Sequence, residues 1–452
     1  PMRRRRRKKL PTTPITLEIE SLSHEGRGLA HHEGKVVFVE GALTGEQVEA
    51  VLIDRRSSFD VAQITEIHKP SKDRIDPACE YAGICGGCSL LHLKPESQLM
   101  FKQEMLFDKL SHAVSGKEFA TLEPITGPAL GYRRKARLAV RHVHKKNQVL
   151  VGFREKNSSF ITNMNNCQVL DTRIACLLPE LSELIGSLEG YREIPQIEVA
   201  AGDPDLPGTT FALIFRHLQP LAENDQLKLT SFATSKGFAL YLQPGGMETV
   251  HKVFPLNGED RLYYRLPEFE LTLAFHPTDF TQVNAVINYK MIPRALELLE
   301  LKKGDSVLDL FCGLGNFTLA LARKCDRVIG IEGAQTMVER ASENATVNSI
   351  SNAAFFCGDL SHSMAGASWM DNSCNKILLD PPRSGALEIL PDIVNMQPER
   401  IVYVSCNPAT LARDTEYLTK QGYVMAQAGV MDMFPQTAHV EAMVLFLRSD
   451  AC

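Results

Sequence analysis

Cys406 lies in IVYVSCNPATLARD, residues 401 to 414, where an apolar run stops against turn-forming residues. IVYV is β-branched and aromatic, as a buried strand requires, and SCNP cannot continue that strand. The thiol is therefore expected at a strand's end. In doubly wound α/β sheets ligands bind outside the carboxyl ends of the strands, which would set this sulfur against whatever the domain binds. A buried cysteine can equally serve as a small hydrophobe, and only the thiolate is reactive, so the stretch needs support from its neighbours.

A second group of thiols is Cys79, Cys85 and Cys88 in PACEYAGICGGCSLLHL. Spacings of five and two residues, with Gly83, Gly86 and Gly87 among them, let the backbone fold tightly enough for three sulfurs to converge. A fourth ligand is needed. Cys167, in the polar-flanked NNCQVL, is the best candidate, whereas Cys176 in IACLLPEL falls on an apolar helical face. Four cysteines can hold zinc or an iron–sulfur cluster. The unequal spacing and the distant fourth cysteine favour [4Fe-4S] over paired zinc knuckles.

The elements that must position Cys406 begin near residue 271. SVLDLFCGLGNFTLALARK reads as strand, glycine turn and helix, RVIGIEG as the next strand, and AAFFCGD and KILLDPPRSG as later ones. Asp309, Gly313 and Gly315 make a tight turn that brings backbone close to a nucleoside-like ligand. Glu332, about 20 residues on, is placed to accept hydrogen bonds from ribose hydroxyls. The third glycine of the dinucleotide fingerprint is missing, with Phe317 and Thr318 where the helix should start. S-adenosylmethionine (SAM) is thus a better expectation than NAD.

Length and composition frame these motifs. A chain of 452 residues exceeds the usual growth of one hydrophobic core, so two or three domains are expected. Its formal net charge of −5 argues against indiscriminate coating of nucleic acid, yet residues 3 to 9 are an unbroken basic run, read as a disordered tail that contacts phosphate in a complex. No apolar segment follows that run and none approaches about 18 residues, so export and membrane spanning are not indicated and a cytoplasmic protein is expected. Eleven cysteines in such a chain point to metal or catalytic use. No heptad is evident, so the default is a monomer.

Residues 12 to 70 form a small all-β module by pattern. ITLEIESL and EQVEAVLI alternate, KVVFVEG is a compact strand, and EGRGLA and LTGEQ supply turns, which suggests an OB-like barrel that binds oligonucleotides or simply packs on its neighbours. Residues 94 to 112 read as helix. GYRRKARLAVRHVHKKN then offers Arg133, Arg134, Lys135, Arg137 and Arg141 as an electropositive stripe for a polyanion. Residues 190 to 270 alternate strand-like segments with turns. The expected domains are a basic tail at 1–11, the barrel at 12–70, a central α/β or α+β domain at 71–270, and a Rossmann-like domain at 271–452.

These motifs together resemble the 5-methyluridine RNA methyltransferase family, in its 23S ribosomal RNA branch. The resemblance covers nearly the whole chain: a TRAM barrel, the four-cysteine [4Fe-4S] motif, FTQVN at 280–284, DLFCGLGNF, DPPR, SCNP and MFPQTAHVEAM at 433–443. It implies Cys406 as the nucleophile and Glu441 as the general base. It also implies a class I methyltransferase domain that holds SAM through Gln282, Phe311, Asn316, Glu332, Asp359 and Asp380, and Cys79, Cys85, Cys88 and Cys167 as cluster ligands. Gln436 departs from the histidine expected in some relatives.

The implied chemistry explains the residue types. Uracil C5 is too weak a nucleophile to attack a sulfonium methyl, so a thiolate must first add to C6. The resulting enolate needs hydrogen-bond donors, and a base must then remove the C5 proton. The uridine must also leave its stack. Competing readings are methylation of one or of two uridines in 23S rRNA, a tRNA-directed relative, expected to lack barrel and cluster, a non-catalytic RNA-binding module, and an amino-methyltransferase that would need no SCNP thiol.

Overall fold

Residues 10–370 and 374–449 are described by the computed structural model of the chain. The basic run at 3–9 lies outside the described residues. The chain forms two compact units, the first comprising residues 10–101, Arg154–Thr162 and Phe434–His439.

In the first unit, strands Ile15–Glu18, Ser21–Leu22, Gly28–His32, Lys35–Glu40, Gln47–Arg55 and Phe59–Lys69 form one sheet in the spatial order first, fifth, sixth, fourth, third, second. The sheet curls on itself because the residue between the first two strands bonds back to the third, Glu20 N donating to Leu29 O at 2.8 Å. The alternation read from the sequence sends Leu17, Ile19, Val37, Val39, Val48 and Ala50 inward, where they form a continuous apolar core. A helix, Pro95–Ala113, spans the stretch read as helical.

The barrel's exit is tied by a buried ion pair. Arg74 Nε donates to Glu46 Oε1 at 2.6 Å and its other end to Glu46 Oε2 at 2.7 Å and Gly41 O at 2.7 Å. Glu46 also accepts from the backbone N–H groups of Leu43 and Ser71, and its side chain is 0% exposed. Burial works to raise its pKa, but Arg74 and the two backbone donors outweigh burial and hold the carboxyl below its usual range.

The second unit, residues Lys102–Phe153, Asn163–Met433 and 440–449, contains two large sheets. One has six strands in the order His251–Phe254, Ala239–Gln243, Phe211–Arg216, Gln196–Ala201, Lys135–Val143, Gln148–Gly152. It is antiparallel except between Phe211–Arg216 and Ala239–Gln243, which are joined by the helix Glu223–Lys236. The other carries the candidate site. Its strands are β1 (Ser306–Leu310), β2 (Arg327–Glu332), β3 (Ala353–Cys357), β4 (Lys376–Leu379), β5 (Arg400–Ser405), β6 (Tyr423–Met431) and β7 (Glu441–Arg448), in the order β3-β2-β1-β4-β5-β7-β6, with Ala120–Thr121 beyond β6. β1 to β5 are parallel; β7 is antiparallel to both β5 and β6. The central strands β1, β4 and β5 are buried on both faces, as a sheet covered by helices requires, whereas the edge strand β3 is half-exposed.

Because Glu46 gains its partners only on folding, its contribution to stability is fully present above the unfolded carboxylate pKa and is lost as pH falls through the depressed folded value. Arg74→Ala should lower the stability of the first unit by about 3 kcal/mol, since it strands a buried charge. Urea unfolding at pH 7 and at pH 3 tests this; the difference between variant and parent should shrink at the lower pH.

Candidate active site

The strand order reverses direction between β1 and β4, and the crevice outside the strand ends is where such sheets bind ligands. The segments leaving β1, β2, β4 and β5 carry Phe311, Glu332, Asp380 and Cys406, and Asp359 follows β3 by two residues. β7 runs the other way, so its first residue, Glu441, falls on the same edge: Ser405 pairs with Ala442. This antiparallel register sets Glu441 beside Cys406.

Local chemistry fixes each piece. Asn407 caps the helix Pro408–Lys420, its side chain accepting from Ala409 N at 3.1 Å, with Pro408 in the first turn. The strand thus ends at Ser405 and the helix starts at Pro408, leaving the thiol at the helix N-terminus, a position that favours a thiolate. After β1, Phe311 adopts φ +63°, a left-handed conformation unusual for an aromatic residue, and Gly313 and Gly315 complete the turn at φ +56° and +94°. Glu332 accepts from Gly313 N at 2.9 Å and from Gly333 N at 2.7 Å, so the second strand's acid holds the glycine turn.

Asn316 is fixed by a reciprocal amide pair with Asn288, at 3.0 and 2.8 Å, and accepts a further bond from the buried Tyr264 hydroxyl at 2.8 Å. Gln282 Nε2 lies 3.5 Å from Asp380 Oδ2. Asn284, which caps the helix Ala285–Leu299, is within 3.4 Å of Met433 O, joining FTQVN to the start of the closing motif. Gln282 also lines a small open recess with Arg134, Tyr264, Phe275, Thr281, Asn288 and Tyr289, among others. Asp309, wholly buried, bonds Thr318 Oγ1 at 2.5 Å through one oxygen while the other has no partner. An orphaned acceptor beneath the glycine turn, with Glu332 at the next strand's end, fits a ligand bearing hydroxyls and a cationic centre.

The electrostatics are dominated by desolvation. Burial raises Asp380 to about 7. Burial and then the Asp380 charge raise Glu441 to about 8, with Arg383 opposing. Cys406 is pushed up to about 11 by burial, then by Glu441 and Asp380, again with Arg383 opposing. Asp309 rises to about 8 for the same first reason. Without ligands, then, the site resists accumulating negative charge.

The DPPR loop is latched to the helix that follows Cys406. Asn407 Nδ2 and Thr410 Oγ1 both donate to Arg383 O, at 2.9 and 3.1 Å, and Arg413 donates to Ser384 O at 2.9 Å. Asp414, fully buried, accepts from Ala386 N at 2.8 Å and from the Tyr403 hydroxyl at 2.6 Å. These clamping residues were not singled out from sequence. Asn407 before Pro408 carries a visible capping signal; the reach of Thr410, Arg413 and Asp414 across to another loop carries none.

Other expected site residues lie elsewhere. Asp359 is exposed and bonded to Ser361 and His362. Cys79, Cys85 and Cys88 belong to the first unit, in a loop of tight turns with Ala82 N bonded to Cys79 O and Cys85 N to Tyr81 O. Gly86 has no room for a side chain, its would-be Cβ lying 3.0 Å from Arg154 O. Burial raises the Cys85 pKa, and the Cys79 charge adds to the rise. Cys167 belongs to the second unit and is buried. Gln436, at φ +69°, accepts from Gln98 Nε2 at 3.0 Å while its own N–H donates to Gln98 Oε1 at 3.0 Å, and its carbonyl takes the N–H groups of Ser89 and Leu90. Its place in the first unit is structural. Of the basic stripe, Arg134 is spent on Asp203 at 2.5 Å and Lys135 on Asp279 O; Arg137 and Arg141 are exposed, Arg137 lying 3.8 Å from Glu198.

Comparison with known proteins bears on all of this. Residues 215–449 match the family described as tRNA (Uracil-5-)-methyltransferase, and residues 11–59 match the TRAM domain. The chain is 49% identical over 442 residues to a 23S rRNA (uracil(1939)-C(5))-methyltransferase from Alcanivorax borkumensis, covering 98% of each chain. It is also 49% identical to a protein of the same description from Hahella chejuensis, covering 98% of this chain and 100% of that one. Among solved structures, the fold is similar to that of Pyrococcus abyssi tRNA (uracil-54, C5)-methyltransferase, with a TM-score of 0.72, 23% identity, and coverage of 96% of this chain and 100% of that one. Since that likeness takes in 96% of the chain, a tRNA-directed protein shares nearly the whole architecture, and the expectation that such a relative would lack the barrel is corrected.

Gly385 sits at φ +82°, and a Cβ there would lie 2.7 Å from Asp414 Oδ2 and 2.6 Å from the Arg413 guanidinium. Gly385→Ala should destabilise the second unit by about 1–3 kcal/mol, measured by thermal unfolding, because Asp414 is held by three partners and cannot yield.

Proposed function

The chain belongs to the RNA (uracil-5-)-methyltransferase family, and on that footing we propose that Cys406 and Glu441 carry out the covalent chemistry by which it methylates C5 of a uridine in 23S ribosomal RNA. The observation that carries this assignment is the meeting, on one edge of the sheet, of a half-buried thiol, a half-buried carboxyl and a second carboxyl contributed by three different strand ends.

In the proposed reaction the Cys406 sulfur bonds to C6 of the flipped base, and the C5–C6 π electrons move through C5 toward O4. SAM held in the crevice would supply a sulfonium methyl, which C5 would take with the electrons returning from O4 as the methyl–sulfur bond breaks and the neutral thioether leaves. Gln282, Phe311, Asn316, Glu332, Asp359 and Asp380 are the residues proposed to hold SAM. Once C5 bears the methyl group, the Glu441 carboxylate takes the C5 proton, the C5–C6 double bond re-forms, and the C6–S bond breaks to return the thiolate. A carboxyl raised to about 8 is a stronger base than an exposed one, and it gains in strength because water is excluded. A cationic ligand beside Asp380 lowers all three raised pKa values together, so the site is primed by binding.

We further propose that Cys79, Cys85 and Cys88, with Cys167 as fourth ligand, hold a [4Fe-4S] cluster. Three thiols on a glycine-turned loop, two of them near enough to sense each other's charge, support this. Methyl transfer needs no redox step, so the role assigned to the cluster is to shape the loop and dock RNA. The enzyme is taken to act as a monomer in the cytoplasm. Among the described residues, no helix is long and apolar enough to cross a membrane.

Three outcomes test these assignments. Cys406→Ala should reduce transfer of labelled methyl groups from SAM to 23S rRNA to background while SAM binding persists; retained transfer would point to an amino-methyltransferase. The single-turnover rate should rise with pH as Glu441 ionises, its midpoint displaced by bound SAM below the ligand-free value of about 8, and a rate that falls with pH over that range would contradict its role as base. Anaerobic purification should yield four irons and four sulfides per chain, with Cys85→Ser losing iron and RNA affinity; a metal-poor protein with full RNA affinity would remove the cluster assignment.

A further inference from the structure

We infer that the guanidinium of Arg383 seats a backbone phosphate next to the uridine being methylated. The inference rests on the reading of Cys406 as the nucleophile, and it begins with how firmly the main chain of Arg383 is held. Its carbonyl takes two hydrogen bonds, from Asn407 and Thr410, residues one and four positions beyond Cys406. The next residue is bonded by Arg413, the one after lacks room for a Cβ, and the following N–H is fixed to buried Asp414. The backbone at position 383 is therefore tied to the helix that starts just beyond the nucleophile.

The side chain contrasts with that backbone. It is exposed, and among the described residues its guanidinium makes no hydrogen bond and no ion pair. Three other arginines of this unit are spent on carboxylates: Arg134 on Asp203, Arg340 on Asp279, Arg413 on Asp414. A guanidinium with five unused donors, set on a clamped loop, is pre-organised for a planar two-pronged acceptor, and phosphate is the acceptor RNA supplies at every residue. The need is also specific. The groups around Cys406 are acidic, and Arg134 and Lys135 of the basic stripe are already occupied. Arg383 is the cation whose field opposes the rise in both the Cys406 and Glu441 pKa values, so its charge faces the pocket into which the base must come. Each nucleotide carries a phosphate on either side of its sugar. A base held over Cys406 brings one of these to the rim where Arg383 stands.

The experiment uses the full chain with SAM and a 23S rRNA segment containing the target uridine, unmodified or with one methylphosphonate at either phosphate flanking it. Arg383→Gln should raise KM for the unmodified RNA roughly 10- to 100-fold, the loss typical of a charged hydrogen-bonded contact. It should reduce the salt dependence of RNA binding by about one phosphate's worth, and Arg383→Lys should restore part of the affinity. SAM affinity, measured separately, should hold, because among the described residues the guanidinium makes no hydrogen bond or ion pair whose loss would disturb the fold. One of the two methylphosphonates should weaken the wild-type enzyme by a similar factor and leave Arg383→Gln no worse. If both methylphosphonates and the substitution act additively, or if Arg383→Gln lowers kcat with KM for RNA and the salt slope unchanged, the phosphate seat is refuted and the arginine acts on the reacting ring instead. Failure of the wild-type enzyme to methylate any uridine at C5 would defeat the broader reading, and is seen without any variant.

Discussion

Removal of water from acidic groups at the mouth of the sheet is the constraint on which the rest depends. Asp380, Glu441, Asp309 and Cys406 each have burial as the first cause of a raised pKa, and repulsion by neighbouring carboxylates comes next for Glu441 and Cys406 and adds to the rise of Asp309. In water such groups would be separate, screened charges. Here they are coupled, so that whatever brings positive charge into the crevice alters all of them at once. A cationic methyl donor and a positively charged arginine are the two agents available to do so.

The fold enforces that proximity through one topological feature. Parallel strands β1, β2, β4 and β5 present their carboxyl ends on one edge, which accounts for Phe311, Glu332, Asp380 and Cys406. A base provided by another parallel strand would have to come from its far end as well. Inserting β7 antiparallel beside β5 instead allows the first residue of a strand, Glu441, to meet the residue just after another's last, Cys406. Ala442 to Phe446 and Ile401 to Ser405 are all buried, so a slip of one residue would move every side chain to the opposite covered face and break the packing on both sides. Precision at the site is thus maintained by hydrophobic packing a full strand length away.

Much of this was legible in the sequence, for reasons that can be stated. Alternation and glycine corners revealed the barrel, whose inward residues Leu17, Val37 and Val48 form its core. The abrupt change from IVYV to SCNP marked a strand stop, and the structure ends β5 at Ser405 with Asn407 as helix cap. What remained hidden is long-range polar contact. Nothing in the spacing of Arg383, Thr410, Arg413 and Asp414 announces that one loop is sewn to another helix. Density of charge also misled: GYRRKARLAVR suggests a uniform basic face, but Arg134 and Lys135 face partners within the unit. Gln436 stood out only as a departure from relatives, while its function is an amide exchange with Gln98, 338 residues earlier in the chain.

The central claim is that the carboxylate of Glu441 removes the C5 proton from a uracil already bonded to Cys406 and already methylated. The most direct measurement incubates Glu441→Gln with SAM and 23S rRNA carrying deuterium at uracil C5, then analyses the protein-linked RNA by mass spectrometry. The account predicts an accumulated Cys406–uracil adduct that holds both the new methyl group and its deuterium. Methylated RNA released at the normal rate with deuterium lost, or an adduct that never forms, would contradict it.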